Sequence, residues 1–235
     1  MAIDSVVIGF GYRARSGKDT AVAEIIAKRG IMHPTGTFVQ GSPDGMYLGT
    51  GTGVAGYDIR RYAFADALKR EVTAAALSAG GMNNLFCTEY FVQTNNNFIP
   101  LPVWVREGYE PNPDMTDPQC PFGKQRALLQ WWGTEYRRSI DPDYWVRQLA
   151  KRIEDEKPQF ALITDMRFPN EMEFANEYGE TVRVDRDGLP PSTHASETAL
   201  ADATDWSLIL DNNGTLEEFK EGAVLAFDEL ITNFP

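Results

Sequence analysis

The 235-residue chain carries 34 Asp and Glu against 22 Lys and Arg, a formal charge of −12 at pH 7. A field of that sign repels a polyanion, which counts against polymeric nucleic acid as a substrate. It leaves open a small phosphorylated ligand held by a local arginine cluster. With 43% hydrophobic residues and a mean hydropathy of −0.35, the composition is that of a water-soluble folded protein. No apolar run approaches the roughly 20 residues that cross a bilayer, and the first residues lead into a strand pattern rather than a signal peptide. The expectation is therefore a cytoplasmic protein of one domain, residues 1–235, without a membrane partner. Cys87 and Cys120 lie far apart without a CxxC or a histidine-rich set, which predicts two free thiols rather than a disulfide or a zinc site.

Residues 5–10 form a β-branched run, followed by a Gly- and Arg-containing loop and helical spacing over 19–29 through Val22, Ile25 and Ile26. Residues 30–57, rich in Gly, Thr, Ser and Pro, read as a long insertion. A strand is predicted over 62–65, and Asp66 as the cap of a helix carrying Leu68, Val72, Ala75 and Ala76, which stops at Gly80 and Gly81. Residues 82–123 give no firm assignment; they suit a second insertion, either a lid or an oligomer contact, which leaves a homodimer open. Helices are predicted over 125–139 and from Pro142 to about Glu156. After them come an apolar strand over 160–164, a helix over 170–178 and a strand over 181–184. A Pro190-Pro191 loop, a short helix near Ser196 and a strand over 206–210 follow. Asn212-Asn213-Gly214 is a turn, and Thr215 with Glu218 forms a capping box for the last helix. Strands alternating with helices define an α/β fold, a mostly parallel sheet with helices on both faces and ligands beyond the carboxyl ends of its strands.

Residues 11–20, GYRARSGKDT, sit between the first strand and the first helix, the context of a phosphate-binding loop. Backbone N–H groups around Ser16 and Gly17 suit phosphate oxygens, the helix start adds partial positive charge, and Lys18 suits the β- and γ-phosphates. The match to G-x-x-x-x-G-K-[ST] is imperfect, because Tyr12 holds the place of the first glycine. Asp19 holds the place of Ser or Thr, which hands a Mg²⁺ role to a carboxylate and leaves Thr20 to a nearby phosphate. Asp165, at the end of the strand over 160–164, is the second carboxylate that such a site uses for Mg²⁺. Arg167 and Glu171 follow it; the alternative for this group is a helix cap with Arg167 paired to Glu171. In the helix over 125–139, Gln130, Thr134 and Arg138 at i, i+4 and i+8 form a polar stripe, with Gly133 permitting close approach. Trp131 and Trp132 suit core packing, Trp145 suits base stacking, and Lys69, Arg70 and Arg147 add cationic charge. His194 is read as a surface or capping residue.

The segments RARSGKDT, YAFADALKREV, LLQWWGTEYRRSIDPDYWV and ITDMRFPNE together resemble the bacteriophage deoxynucleoside monophosphate kinases of the P-loop kinase superfamily. HASETAL and DNNGTLEEF extend the resemblance over most of the chain outside the two insertions. It implies a three-layer P-loop NTPase fold with lid and substrate-binding insertions, ATP and Mg²⁺ as cofactors, and a deoxynucleoside monophosphate (dNMP) as acceptor. Arg15, Ser16, Gly17, Lys18, Asp19 and Thr20 would bind the donor phosphates, with metal at Asp19 and Asp165. The resemblance places Arg70, Gln130, Gly133, Thr134, Trp145, Asp165, Arg167 and Glu171 on the acceptor side, with Arg138 and Arg147 from a lid. Lys18, Arg15, Asp165 and Arg167 would serve the transfer itself. Two other functions compete: a kinase acting on a modified base in DNA, and a regulatory module that binds ATP without an acceptor.

Overall fold

The computed structural model describes residues 3–31, 56–87, 91–94, 97–99, 101–191 and 193–234. Most of the insertion expected over 30–57, and parts of that over 82–123, therefore lie outside the described residues, as does the side chain of Cys87. Cys120 is a buried free thiol. By its internal contacts the chain divides into two compact units, Met1–Phe64 with Val146–Pro235, and Ala65–Trp145.

The first unit is built on a five-stranded sheet. Strands β1 (Val6–Gly11), β2 (Ile59–Tyr62), β5 (Phe160–Met166), β6 (Gly179–Asp185) and β7 (Leu208–Asp211) lie in the order β2-β5-β1-β6-β7. All four pairings are parallel, as the strand–helix alternation predicts. Alternate residues of a strand face opposite sides. On one side Ile8, Phe10, Leu162, Val182 and Val184 pack with Ala21, Val22, Ile25 and Ile26 of α1 (Lys18–Arg29) and Phe219, Ala223, Phe227 and Leu230 of α9 (Leu216–Ile231). Each such fully buried aliphatic or aromatic side chain contributes about 1.5–3 kcal/mol relative to exposure. On the other side α7 (Pro169–Tyr178) lies so close that a Cβ at Gly9 would stand 2.9 Å from Ala175 Cβ. Also on this unit, Tyr62 donates its hydroxyl hydrogen to Glu156 Oε2 at 2.8 Å from the end of α6 (Tyr144–Glu156). The Thr215–Glu218 capping box opens α9 as expected.

Among the boundaries that move, two have a visible tertiary cause. The strand over 62–65 is β2, ending at Tyr62, and α2 (Phe64–Ser78) begins two residues before the expected cap. Its first N–H is satisfied by Asp165 Oδ1, which accepts from Phe64 N at 2.8 Å, so Asp66 sits inside the helix, 1% exposed. The last strand starts at Leu208 rather than 206, because Trp206 turns its ring onto Gly11, where a Cβ would meet it at 2.6 Å.

In the second unit α2 is followed by α3 (Met82–Cys87), a two-stranded antiparallel pair β3 (Phe91–Thr94) and β4 (Asn97–Ile99), α4 (Val103–Glu107) and α5 (Arg126–Gln130). The helix expected over 125–139 is α-helical only in α5; from Trp131 to Arg138 it is a π-helix. Bonding at i→i+5 widens each turn, so a step of four residues falls short of one revolution and the i, i+4, i+8 stripe does not stay in line. Trp131, Trp132 and Tyr136 are buried, with the rings of Trp131 and Tyr136 stacked at 5.5 Å. Arg137, paired with Glu71, lies over the rings of Tyr136 and Tyr144 at 4.9 Å each.

Candidate phosphate-binding site

The loop after β1 is shaped by three residues in left-handed backbone: Tyr12 at φ +88°, Arg15 at +63° and Gly17 at +112°. Gly17 is required twice over. Its φ favours glycine, and a Cβ there would lie 2.5 Å from Asn212 Nδ2 and 3.0 Å from the Phe219 ring. Asn212 uses the space to donate to Ser16 O at 2.6 Å, tying the end of β7 to the loop. Tyr12 adopts the left-handed conformation in the place where the motif has its first glycine. A non-glycine residue there costs about 1–2 kcal/mol, and the Arg183 guanidinium, 4.2 Å above the Tyr12 ring and bonded to Asp185, offsets part of it.

Lys18 opens α1 and is only 5% exposed. Its Nζ donates to Arg13 O and to Ser16 Oγ, the latter at 3.3 Å. Burial, and next the Arg167 charge, bring its pKa down from 10.5 to about 8, against Asp19, Glu197 and Asp165, which raise it. Ser16 is fully buried. The Arg15 side chain is exposed, and its carbonyl accepts from Arg186 Nη1 at 3.4 Å. Arg13 donates to Pro190 O at 2.7 Å, which joins the loop over 186–191 to the phosphate loop. Thr20 is half-buried on the first turn of α1.

At the end of β5, Arg167 and Glu171, paired with each other in the alternative reading, each take another partner. Glu171, 2% exposed, accepts from the backbone N–H groups of Arg167 at 2.7 Å and Phe168 at 3.1 Å and so opens α7. The Arg167 guanidinium is paired instead with Glu197 on α8 (Ala195–Thr198). The second carboxylate oxygen of Glu197 accepts from Ala14 N at 2.7 Å. His194 caps α8, its Nδ1 accepting from Ser196 N at 3.2 Å, the capping role expected of it.

These residues suit the phosphate chain of a nucleotide. The Glu197 carboxylate accepts from Ala14 N–H and pairs with Arg167, and its negative charge acts on Lys18. They also suit Mg²⁺ in the manner of phosphate sites. Asp19, 72% exposed and 3.7 Å from Arg61, and Asp165, which accepts from Phe64 N, would supply one carboxylate each. No cluster of three or more His, Cys, Asp or Glu able to hold a metal occurs among the described residues. A Mg²⁺ ion commonly takes one or two carboxylates and completes its octahedron with water and phosphate oxygens.

In the second unit, Gln130 and Arg70 are exposed, and Thr134 and Arg138 half-buried, with Arg138 Nη1 donating to Pro142 O at 3.2 Å. Lys69 pairs with Asp117 at 3.0 Å. Gly133 is buried, and a Cβ there would meet Leu68 Cδ2 at 3.0 Å, so among the described residues its close neighbour is a side chain. Its carbonyl accepts from Trp145 Nε1 at 2.9 Å. Trp145 is 3% exposed, with its ring edge-on to Tyr144 at 4.7 Å, so the structure packs it inside the unit. Arg147, on α6, is exposed.

Glu197, Asn212 and Arg61 were not predicted from the sequence. Glu197 lies in HASETAL and Asn212 in DNNGTLEEF, so resemblance marked both segments without assigning these side chains a role. Arg61 precedes the strand expected over 62–65 and carries no sequence signal; the structure places it on β2.

A parallel sheet with helices around it, and a glycine-lysine loop closing its first strand onto a helix, is an α/β fold consistent with that of a P-loop kinase. Residues 124–222 match the family described as deoxynucleotide monophosphate kinase. The chain is also 36% identical over 120 residues to a protein of Acanthamoeba polyphaga mimivirus named "Putative deoxynucleotide monophosphate kinase", covering 44% of this chain and 61% of that one. The chain thus spans about three fifths of the length of the curated relative it matches. Both similarities agree with the resemblance carried by the sequence motifs. The phosphate loop precedes the family match, so its assignment rests on its own geometry. No helix among the described residues is long and apolar enough to cross a membrane.

Proposed function

We propose that this protein is a deoxynucleoside monophosphate kinase that transfers the γ-phosphoryl group of ATP to a dNMP, giving dNDP and ADP, in the cytoplasm of an infected host. The observation that carries the proposal is the buried Lys18 at a glycine-shaped loop, with Arg167 and Asp165 leaving the neighbouring strand β5.

In the proposed reaction an oxygen of the acceptor phosphate forms a bond to the γ-phosphorus while the bond to the β,γ-bridging oxygen breaks, and ADP departs with that electron pair. A phosphate monoester, with a second pKa of about 6, is mostly dianionic at pH 7, so no general base is needed. Catalysis then consists of positioning and charge neutralisation. Lys18 and the loop N–H groups hold the donor phosphates, and Arg15 and Arg167 neutralise the transferring group. Asp19 and Asp165 would hold Mg²⁺, which when bound neutralises charge on the β- and γ-phosphates. Arg70, Gln130, Gly133, Thr134 and Arg138 in the second unit, and Arg147, Asp165, Arg167 and Glu171 in the first, are assigned to the acceptor, while Trp145, packed inside its unit, is left out. The chain is taken as one kinase domain with insertions.

A panel of the four dNMPs in an ADP-release assay tests this directly. Acceptor-dependent ADP with matching dNDP is expected. Transfer to an oligonucleotide alone would make the protein a DNA-base kinase, and ATP binding without acceptor-dependent ADP would make it a regulatory module.

A further inference from the structure

The carboxylate of Glu197 is placed as a phosphoryl group would be. One oxygen accepts from a backbone N–H of the phosphate loop, Ala14 N at 2.7 Å, and the other pairs with the Arg167 guanidinium. Both are donors of the kind that recognise phosphate, and the side chain is only 16% exposed. The element that carries it is lightly anchored. Helix α8 has four residues and buries none of them, and it is followed by the buried Leu200. Few apolar contacts have to break for such an element to move, which places it among the parts of a fold that open most readily.

We propose that Glu197 is the internal anion of the donor site, a carboxylate that occupies the phosphate seat until a polyphosphate displaces it and that thereby sets donor affinity. The inference rests on the phosphate-loop assignment and deepens it. A triphosphate tail brings more negative charge and more acceptor oxygens than one carboxylate, so exchange favours the nucleotide. Keeping the carboxylate in place beside the incoming phosphates would set two anions against each other around Arg167 and Ala14 N–H. The seat is never left as an unpaired guanidinium beside a buried lysine, a state whose charges repel. Neutralising Glu197 removes the competitor and leaves the phosphate donors in place.

The test uses inorganic tripolyphosphate as the probe, so that it does not depend on an acceptor or on turnover. By calorimetry, Glu197→Gln should bind tripolyphosphate about tenfold tighter than wild type, the scale set by one charged hydrogen-bond competitor. Equal or weaker binding by a folded Glu197→Gln overturns the proposal and identifies Glu197 as a residue that merely positions Arg167, while the kinase assignment stands on the ADP-release assay. Hydrogen exchange on the wild-type protein keeps the test independent of the variant's folding. Amides of residues 195–200 should exchange faster when tripolyphosphate is added, and unchanged or slower exchange contradicts displacement.

Discussion

The phosphate loop over 12–20 and the segment over 126–138 were both read from residue spacing, and they differ in how the spacing relates to structure. In the loop, spacing expresses chemistry that any fold must respect: a left-handed turn, a small residue against Asn212, and a lysine at the helix start. In the helix, spacing was converted to a face by assuming 3.6 residues per turn, and the π-helix from Trp131 to Arg138 removes that assumption. A motif that names atoms survives a change of local geometry, whereas one that names only a period does not.

The sharpest test of the loop is Lys18→Ala, which should lower kcat by at least about 10²-fold with the fold retained by circular dichroism; turnover at the wild-type level breaks the assignment. The second is pH. With the Lys18 pKa near 8 in the free protein, a polyphosphate that requires the ammonium must bring a proton with it at higher pH. Its affinity should therefore fall above pH 8, by up to about tenfold per pH unit, in calorimetric titrations. Stability runs the other way. Between about 8 and 10.5 the unfolded chain binds more protons at this lysine than the folded one, so the contribution of Lys18 to stability rises over that window and is constant below it.

Smaller effects test the geometry. Gly17→Ala should cost about 1–3 kcal/mol in urea denaturation through its φ of +112° and contact with Asn212, and should weaken polyphosphate binding as well. Trp145→Phe, in the second unit, removes the indole bond to Gly133 O and should cost about 0.5–1.5 kcal/mol of stability. A raised acceptor KM with unchanged stability would instead return Trp145 to base stacking. The smallest effect is expected at Tyr12→Gly, where relief of backbone strain and loss of the Arg183 contact nearly cancel, within about 1 kcal/mol.

Much of the first unit was legible because hydrophobic strands alternate with helices and because Gly17, Lys18 and the Thr215–Glu218 box are local signals. What escaped was set by tertiary partners. The start of α2 was placed at Asp66 because nothing local reveals that Asp165, a hundred residues on, accepts from Phe64 N. The alternative that paired Arg167 with Glu171, four apart on one segment, rested on local spacing, yet Glu171 is taken by backbone N–H groups and Arg167 by Glu197. The glycine missing at Tyr12 looked like a flaw in the motif, but the backbone there keeps a glycine-like φ and an arginine covers the ring.

The amide resonances of residues 14–20 in the presence of Mg²⁺ and a non-hydrolysable ATP analogue give the most direct test of where the triphosphate sits. These amides should shift first and furthest in a ¹H–¹⁵N titration, and Lys18→Ala should abolish the shifts. Saturating binding that leaves them unmoved while amides elsewhere respond would contradict the phosphate-loop assignment.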